Sequence, residues 1–159
     1  MSSIVIYHSY TGNTKMIAEK IKLTLNCDIL ELKPLAPFSS DYDEVVREYQ
    51  NNENAKSVVG IEHFDIDLSK YDTIILGTPV WWYSLTPVVR KFLQSYDLNG
   101  KTIIPFATNG GLIGRTFKEI KELCPNSIIK NEFDIPFSQN TPAISQDEFD
   151  IWIQSLQQN

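Results

Sequence analysis

Short apolar runs alternate with stretches of helical periodicity along most of the chain. The runs are rich in β-branched residues, and between them apolar residues recur every three or four positions, as in a helix that buries one face. The pattern predicts strands at residues 4–7, 28–32, 73–77, 102–107 and 126–133. It predicts helices at residues 13–25, 43–50, 87–96, 114–123 and 145–156. This alternation indicates parallel βαβ units.

Five strands that alternate with five helices predict an α/β fold. We expect a doubly wound three-layer α/β/α sandwich around a five-stranded parallel sheet with strand order 2-1-3-4-5. The 159 residues contain no repeat and no dividing linker, so a single domain over residues 1–159 is expected. Such sheets bind ligands beyond the carboxyl ends of their strands, where the winding direction reverses. The loops after strands one, three and four are therefore the candidate functional segments.

The first of these loops combines hydroxyl and amide side chains with a glycine. Its residues are Ser9, Tyr10, Thr11, Gly12, Asn13 and Thr14. Unpaired N–H groups at the start of the next helix favour an anion there, and Gly12 lets the backbone curve close to it. Neither GxxxxGK[ST] nor GxGxxG is present, so the loop predicts a phosphate site of another kind. The alternative is an ordinary helix N-cap, which needs only one such residue.

The second loop is rich in aromatic residues, and the third loop is rich in glycine. The second contains Pro79, Val80, Trp81, Trp82 and Tyr83. Its rings could stack on a flat ligand or close the end of the core. The third contains Thr108, Asn109, Gly110, Gly111 and Gly114. Its backbone could approach the edge of a ligand or form a plain surface turn.

A phosphate site, an aromatic wall and a backbone-rich edge together fit a planar ring joined to one phosphate by a polyol, which describes FMN. The stretch SYTGNT resembles the phosphate loop of the flavodoxins, whose pattern is [ST]xTGxT. The stretches YDTIILGTPVWWYSLTPVVRKFL and GKTIIPFATNGGLIG resemble the flavodoxin-like family at the matching points. The resemblance covers residues 3–157.

The resemblance implies a role for each loop. Ser9 and residues 11–14 would bind the FMN phosphate, and Tyr10 would either contact the ribityl chain or pack beside it. Residues 79–83 would border the isoalloxazine ring, with Trp81 or Trp82 against it. Residues 108–111 would bind the ring edge through backbone groups. The third loop departs from the small electron carriers because it has no aromatic residue, so one face of the flavin is expected to be open.

Three functions are compatible with these residues. The first is an electron carrier that passes electrons between redox partner proteins. The second is an FMN-dependent NAD(P)H:quinone-type oxidoreductase that reduces a small acceptor, as a monomer or a homodimer. The third is a binding module that has lost its flavin, which the intact phosphate loop disfavours. We rank electron transfer first.

The charge and composition of the chain limit the classes of partner that it can bind. The net charge of −6 argues against nucleic acid and against an anionic membrane surface. Cys27 and Cys124 form no CxxC and no metal spacing, and no apolar run reaches the length of a membrane span. A cytoplasmic protein without a metal site is expected. His8 and His63 are interpreted as structural, and no catalytic residue is assigned.

Overall fold

The computed structural model describes residues 2–48 and 59–157, and most of its elements lie where the pattern predicts them. The strands are β1 (Ser3–Tyr7), β2 (Asp28–Glu31), β3 (Thr73–Trp81), β4 (Ser84–Leu85), β5 (Thr102–Asn109), β6 (Ile128–Ile129), β7 (Phe133–Ser138) and β8 (Thr141–Pro142). The helices are α1 (Asn13–Leu25), α2 (Tyr42–Glu48), α3 (Pro87–Ser95), α4 (Thr116–Leu123) and α5 (Gln146–Gln157). The last two residues of the second predicted helix, 49 and 50, lie outside the described residues.

The sheet confirms the doubly wound α/β fold. Its five main strands are parallel and adjacent in the order β2-β1-β3-β5-β7, which is the predicted order. The described residues form eight strands, however, and not five. The short strands β4 and β8 form antiparallel hairpins with β3 and β7, and β6 lies parallel to β5. A pattern of apolar runs misses such strands because two residues are too few to show alternation.

The predicted fifth strand, residues 126–133, is wrong in its bounds. The chain pairs with the first residues of β5 through β6, leaves the sheet, and returns as β7 beside the second half of β5. Asn131, between the two strands, has a φ of 55°, a left-handed conformation that interrupts an extended chain. The main edge strand therefore begins at Phe133, where the prediction ends.

Alternate residues of the strands form two cores, one on each face of the sheet. Ile4 and Ile6 face a cluster that includes residues of α3 and α4. Val5 and Tyr7 face a second cluster, which includes residues of α1 and α5. Because both faces are covered, the middles of the central strands are apolar, and their polar residues lie at the strand ends. The functional loops therefore leave a rigid, doubly buried sheet.

Candidate functional site

The first loop connects β1 to α1 through a left-handed glycine. Gly12 has a φ of 100°, and the helix begins at Asn13. The Ser9 hydroxyl oxygen accepts the N–H groups of Gly12 and Lys15, both at 3.2 Å, so it caps the loop from inside. The N–H groups of Thr11, Asn13 and Thr14 have no acceptor among the residues that the structure describes. Unpaired donors at a helix start are the arrangement that favours an anion.

Two side chains attach this helix start to distant strands. The Thr14 hydroxyl is buried and lies 2.7 Å from the hydroxyl of Thr108 at the end of β5. The Asn13 amide donates to the carbonyl of Gln139, in the turn between β7 and β8, at 3.0 Å. Thr14 therefore presents its N–H to the loop surface while its hydroxyl is engaged within the protein. The first and third loops therefore meet across the end of β3, which lies between their strands.

The second segment is a hairpin and not the predicted loop. β3 continues through Pro79 and Val80 to Trp81, which pairs with Ser84 of β4. Trp82 and Tyr83 form the two-residue turn, with φ values of 49° and 64°. Such turns usually contain Asn or Gly at these positions, because other side chains are strained at positive φ. The predicted loop was wrong because this chain uses Trp and Tyr there, so no sequence signal marks the turn.

Trp81 packs edge-on against an aromatic cluster at the end of the sheet. Its ring centroid lies 5.0 Å from Phe38, 5.6 Å from Tyr10 and 5.8 Å from His8. The Tyr10 hydroxyl donates to the Ser39 carbonyl, which fixes the tyrosine beside Trp81. The Trp81 ring is therefore supported by neighbouring rings, a rigid arrangement for a side chain that borders a cavity.

Trp82 projects from the turn toward α2. Its indole N–H donates to the carbonyl of Val46 at 3.0 Å, and the ring remains 37% exposed. The two tryptophans thus differ, since Trp81 belongs to the aromatic cluster and Trp82 connects the hairpin to a helix.

The third loop is organised by the side chain of Asn109. Its amide nitrogen donates to Asp134 at 2.5 Å and to the Ala107 carbonyl at 3.3 Å, and its oxygen accepts the N–H of Gly111 at 2.8 Å. The Asn109 side chain is therefore engaged within the loop. The N–H of Gly110 has no acceptor among the described residues, which makes it available to a ligand.

Gly114 ends the third loop against the hairpin. A Cβ added at Gly114 would lie 2.6 Å from the Cα of Tyr83 and closer still to its Cβ and carbonyl oxygen. The next residue, Arg115, donates its N–H to that same carbonyl at 2.8 Å. Gly114 thus lies behind the turn, and neither it nor Gly111 lines the cavities described next.

Two adjoining cavities lie between the three segments. The loop cavity, about 380 Å³, runs from Thr11 and Asn13 past Pro79 and Thr108. The hairpin cavity, about 280 Å³, lies between α2, the hairpin and the third loop. Both are lined by Tyr10, Tyr42, Val80, Trp81, Asn109 and Gly110. Predicted residues from all three segments therefore border the space formed by these two adjoining cavities.

Sequence reasoning missed one wall of this space. Tyr42, Val45 and Val46 of α2 line the hairpin cavity together with Leu112. Phe137, Gln139 and Asn140, at the junction of β7 and β8, line the loop cavity. The signal for α2 was its helical spacing of apolar residues, but nothing in the sequence showed that this helix packs beside the hairpin.

The pKa values of two side chains near the cavities, His8 and Tyr10, are shifted in opposite directions. Burial lowers the pKa of His8 to about 4, and its Nδ1 lies 2.9 Å from the Thr86 hydroxyl, so the ring is neutral at pH 7. Partial burial, and then the nearby carboxylates of Asp41 and Glu44, raise the pKa of Tyr10. The cavity mouth near α2 therefore has negative surroundings.

Residues 2–48 and 59–157 contain no group of three or more His, Cys, Asp or Glu side chains that could bind a metal ion. None of their helices is long and apolar enough to cross a membrane.

Comparison with known proteins agrees with this geometry. A sequence model of the family described as "Flavodoxin" matches residues 2–156. The chain belongs to the flavodoxin family. A search of curated proteins finds no match.

Solved structures share the fold over almost the whole chain. A protein from Bacteroides uniformis ATCC 8492, assigned as a flavoprotein, is 26% identical, with a TM-score of 0.81 and coverage of 96% of this chain and 97% of that one. One from Bacteroides eggerthii DSM 20697, also assigned as a flavoprotein, is 25% identical, with a TM-score of 0.79 and coverage of 98% of both chains. A flavoprotein from Lactobacillus acidophilus NCFM, solved in complex with FMN, is 21% identical, with a TM-score of 0.72 and coverage of 95% and 97%; its likeness concerns the fold.

Proposed function

We propose that the chain binds FMN non-covalently and transfers electrons through it. The observation that carries the proposal is the pair of adjoining cavities between the three segments, with unpaired N–H donors at one end and aromatic side chains at the other. A phosphate needs the donors and a flat ring needs the aromatic wall, so the residues present fit FMN at both ends. When bound, FMN supplies the redox chemistry, because its ring accepts and returns electrons.

Each part of the site would bind a different part of the cofactor. The N–H groups of residues 11, 13 and 14 and the exposed Thr11 hydroxyl would donate to the phosphate. Trp81, supported by its ring cluster, would lie against the isoalloxazine, and the Gly110 N–H would donate to the ring edge. Ser9 and Gly12 would act through the loop backbone that they shape. Gly114 would act only by positioning the turn.

The rim of the hairpin cavity supports electron exchange with a partner. Four large apolar side chains there are exposed, namely Tyr42 (59%), Trp82 (37%), Tyr83 (51%) and Leu112 (65%). They are half of the eight large hydrophobic side chains that are exposed in the described part of the chain. Exposed apolar side chains clustered at one cavity indicate a surface that contacts another molecule. We infer that redox partner proteins approach the flavin over this rim.

A second function, an FMN-dependent NAD(P)H:quinone-type oxidoreductase, is favoured by one observation. The third loop presents Leu112 to the hairpin cavity and no aromatic ring. On the side of the third loop a bound flavin would then border a leucine and not a stacked ring, which would leave room for a flat acceptor. Negative groups such as Asp41 and Glu44 near the mouth would repel an anionic nicotinamide nucleotide, which places electron transfer first.

A reductive titration of the FMN-loaded protein under argon, followed by absorbance, separates the two functions. One sample receives dithionite stepwise and the other receives NADPH or NADH. A long-wavelength band of one-electron-reduced flavin with dithionite, and little reaction with the nicotinamides, is the result expected of a carrier. Direct two-electron bleaching by a nicotinamide would identify a reductase. Purified protein that takes up no FMN would refute both functions.

A further inference from the structure

A buried ion pair lies behind the hairpin, outside both cavities. Arg90 of α3 donates through Nη2 to Oε2 of Glu119 on α4 at 2.6 Å, and both side chains are less than a tenth exposed. The Nε of Arg90 is buried without a hydrogen-bond partner in the described part of the chain. Removing two charges from water is costly, and apolar residues of similar size often give equal stability. A contribution to folding stability is therefore a weak explanation for the presence of this ion pair.

The second carboxylate oxygen of Glu119 has a specific acceptor role. Oε1 accepts the N–H of Leu85 at 3.2 Å. Leu85 is fully buried and lies opposite Val80 in the hairpin, one position beyond the pair next to the turn. In an antiparallel hairpin, hydrogen-bonded pairs alternate with pairs whose N–H groups point away from the partner strand. Without Glu119, the outward N–H of Leu85 would be buried and unpaired.

The same helix fixes the hairpin at a second point. Arg115, which precedes α4, donates its N–H to Tyr83 in the turn, and Gly114 packs against the backbone there. A helix that contacts both the turn and β4 determines where the hairpin lies. Val80 and Trp81, on the opposite strand, line both cavities. A displacement of β4 would therefore move the aromatic wall.

We propose that Glu119 is a positioning residue for the ring-binding half of the flavin site, acting through the N–H of Leu85. Arg90 supplies the opposite charge that lets this carboxylate be buried. The assignment rests on the proposed function, because it concerns where the hairpin presents Trp81 to the flavin. It predicts that a change at Glu119 alters binding of the ring and not of the phosphate.

Two substitutions separate the reach of the side chain from its charge. Glu119→Asp keeps the negative charge beside Arg90 but shortens the side chain by one methylene, so its carboxylate no longer reaches both Arg90 and the N–H of Leu85. Glu119→Gln keeps the length and one acceptor oxygen but removes the charge. Glu122→Gln is the matched control on the same helix, because Glu122 is about half exposed and forms a surface pair with Arg115.

The measurement is the dissociation constant of FMN and of riboflavin, from the quenching of flavin fluorescence, for each variant shown to be folded by circular dichroism. Riboflavin has the ring but no phosphate. In Glu119→Asp, both constants should rise by the same factor, about tenfold, for loss of a hydrogen bond to a charged group. Glu119→Gln should bind both flavins several times better than Glu119→Asp, and Glu122→Gln should match the wild type.

Three results would overturn the assignment: wild-type affinity in Glu119→Asp, loss of FMN binding alone, or equal loss in the Asp and Gln variants. If the wild type bound neither flavin, the proposed function would fail, and the assignment with it. If Glu119→Asp did not fold, hydrogen exchange would decide. The Leu85 amide should then be protected in the wild type and somewhat less protected in Glu119→Gln, whose neutral oxygen is a weaker acceptor than a carboxylate. An unprotected wild-type amide would contradict the proposal.

Discussion

Gly114 offers a direct test of how the third loop packs against the hairpin. Gly114→Ala places a Cβ 2.6 Å from the Cα of Tyr83, a distance at which the backbone must move. It also places a side chain at a φ of 56°. A left-handed conformation costs about 1–2 kcal/mol, and overpacking a rigid contact costs about 1–3 kcal/mol more. We expect the free energy of unfolding to fall by roughly 2–5 kcal/mol.

Gly100 supplies the control for this experiment. It has a φ of 79°, and an added Cβ would meet nothing within 4 Å, so Gly100→Ala isolates the conformational cost. Urea unfolding of the flavin-free proteins at 25 °C gives the free energy of both variants. We expect about 1–2 kcal/mol of destabilisation for Gly100→Ala, well below that for Gly114→Ala. Equal losses in the two variants would show that the turn does not pack against Gly114.

Three further predictions concern the first loop, the hairpin and the buried histidine. Thr11→Ala should weaken binding of FMN but not of riboflavin, whereas Thr14→Ala should also lower the free energy of unfolding by about 1–3 kcal/mol, because the hydroxyl of Thr108 loses its buried partner. If calorimetry showed that Thr11→Ala weakens both flavins equally, the phosphate would lie elsewhere. Trp82→Phe removes the N–H that donates to Val46, so stopped-flow measurements should show faster release of FMN. An unchanged release rate would show that the contact between the hairpin and α2 does not help to retain the cofactor. Because burial lowers the pKa of His8 to about 4 in the folded state, the unfolded chain binds more protons between pH 6.5 and 4. The free energy of unfolding should therefore fall by up to about 3 kcal/mol as the pH is lowered from 6.5 to 4. Urea midpoints against pH should show a shallower slope in His8→Gln, and an identical slope would assign the loss to other groups.

The parts of the fold that could be predicted are those with a local physical cause. The helix Asn13–Leu25 has the predicted bounds because its apolar stripe begins directly after a glycine that adopts a left-handed φ. The three central strands β1, β3 and β5 were recognisable because strands buried on both faces are continuous apolar runs. The predicted order of the main strands was a common one for doubly wound sheets, and the structure has that order.

The unpredicted parts depend on contacts between distant residues. Trp82 and Tyr83 occupy a turn that their own conformational preferences disfavour, and the turn is fixed by Gly114 and by the N–H of Arg115. In the sequence, Glu119 cannot be distinguished from the other polar residues of its helix, because its buried contacts with α3 and β4 leave no pattern in the neighbouring residues. Placing α2 beside the hairpin likewise requires knowledge of how the chain returns to the sheet.

The attachment of α1 to the far side of the sheet bears on the order in which the chain can assemble. Asn13 and Thr14 contact Gln139 and Thr108, which follow them by 126 and 94 residues. Closing such long loops is slow, since the entropy of distant segments must be lost before their contacts form. The proposed anion site can therefore mature only after β5 and β7 have joined the sheet, although two of its three donors belong to the first helix. Phosphate affinity would then report completed folding, and a nascent chain that lacks the last strands would have the loop sequence without the site.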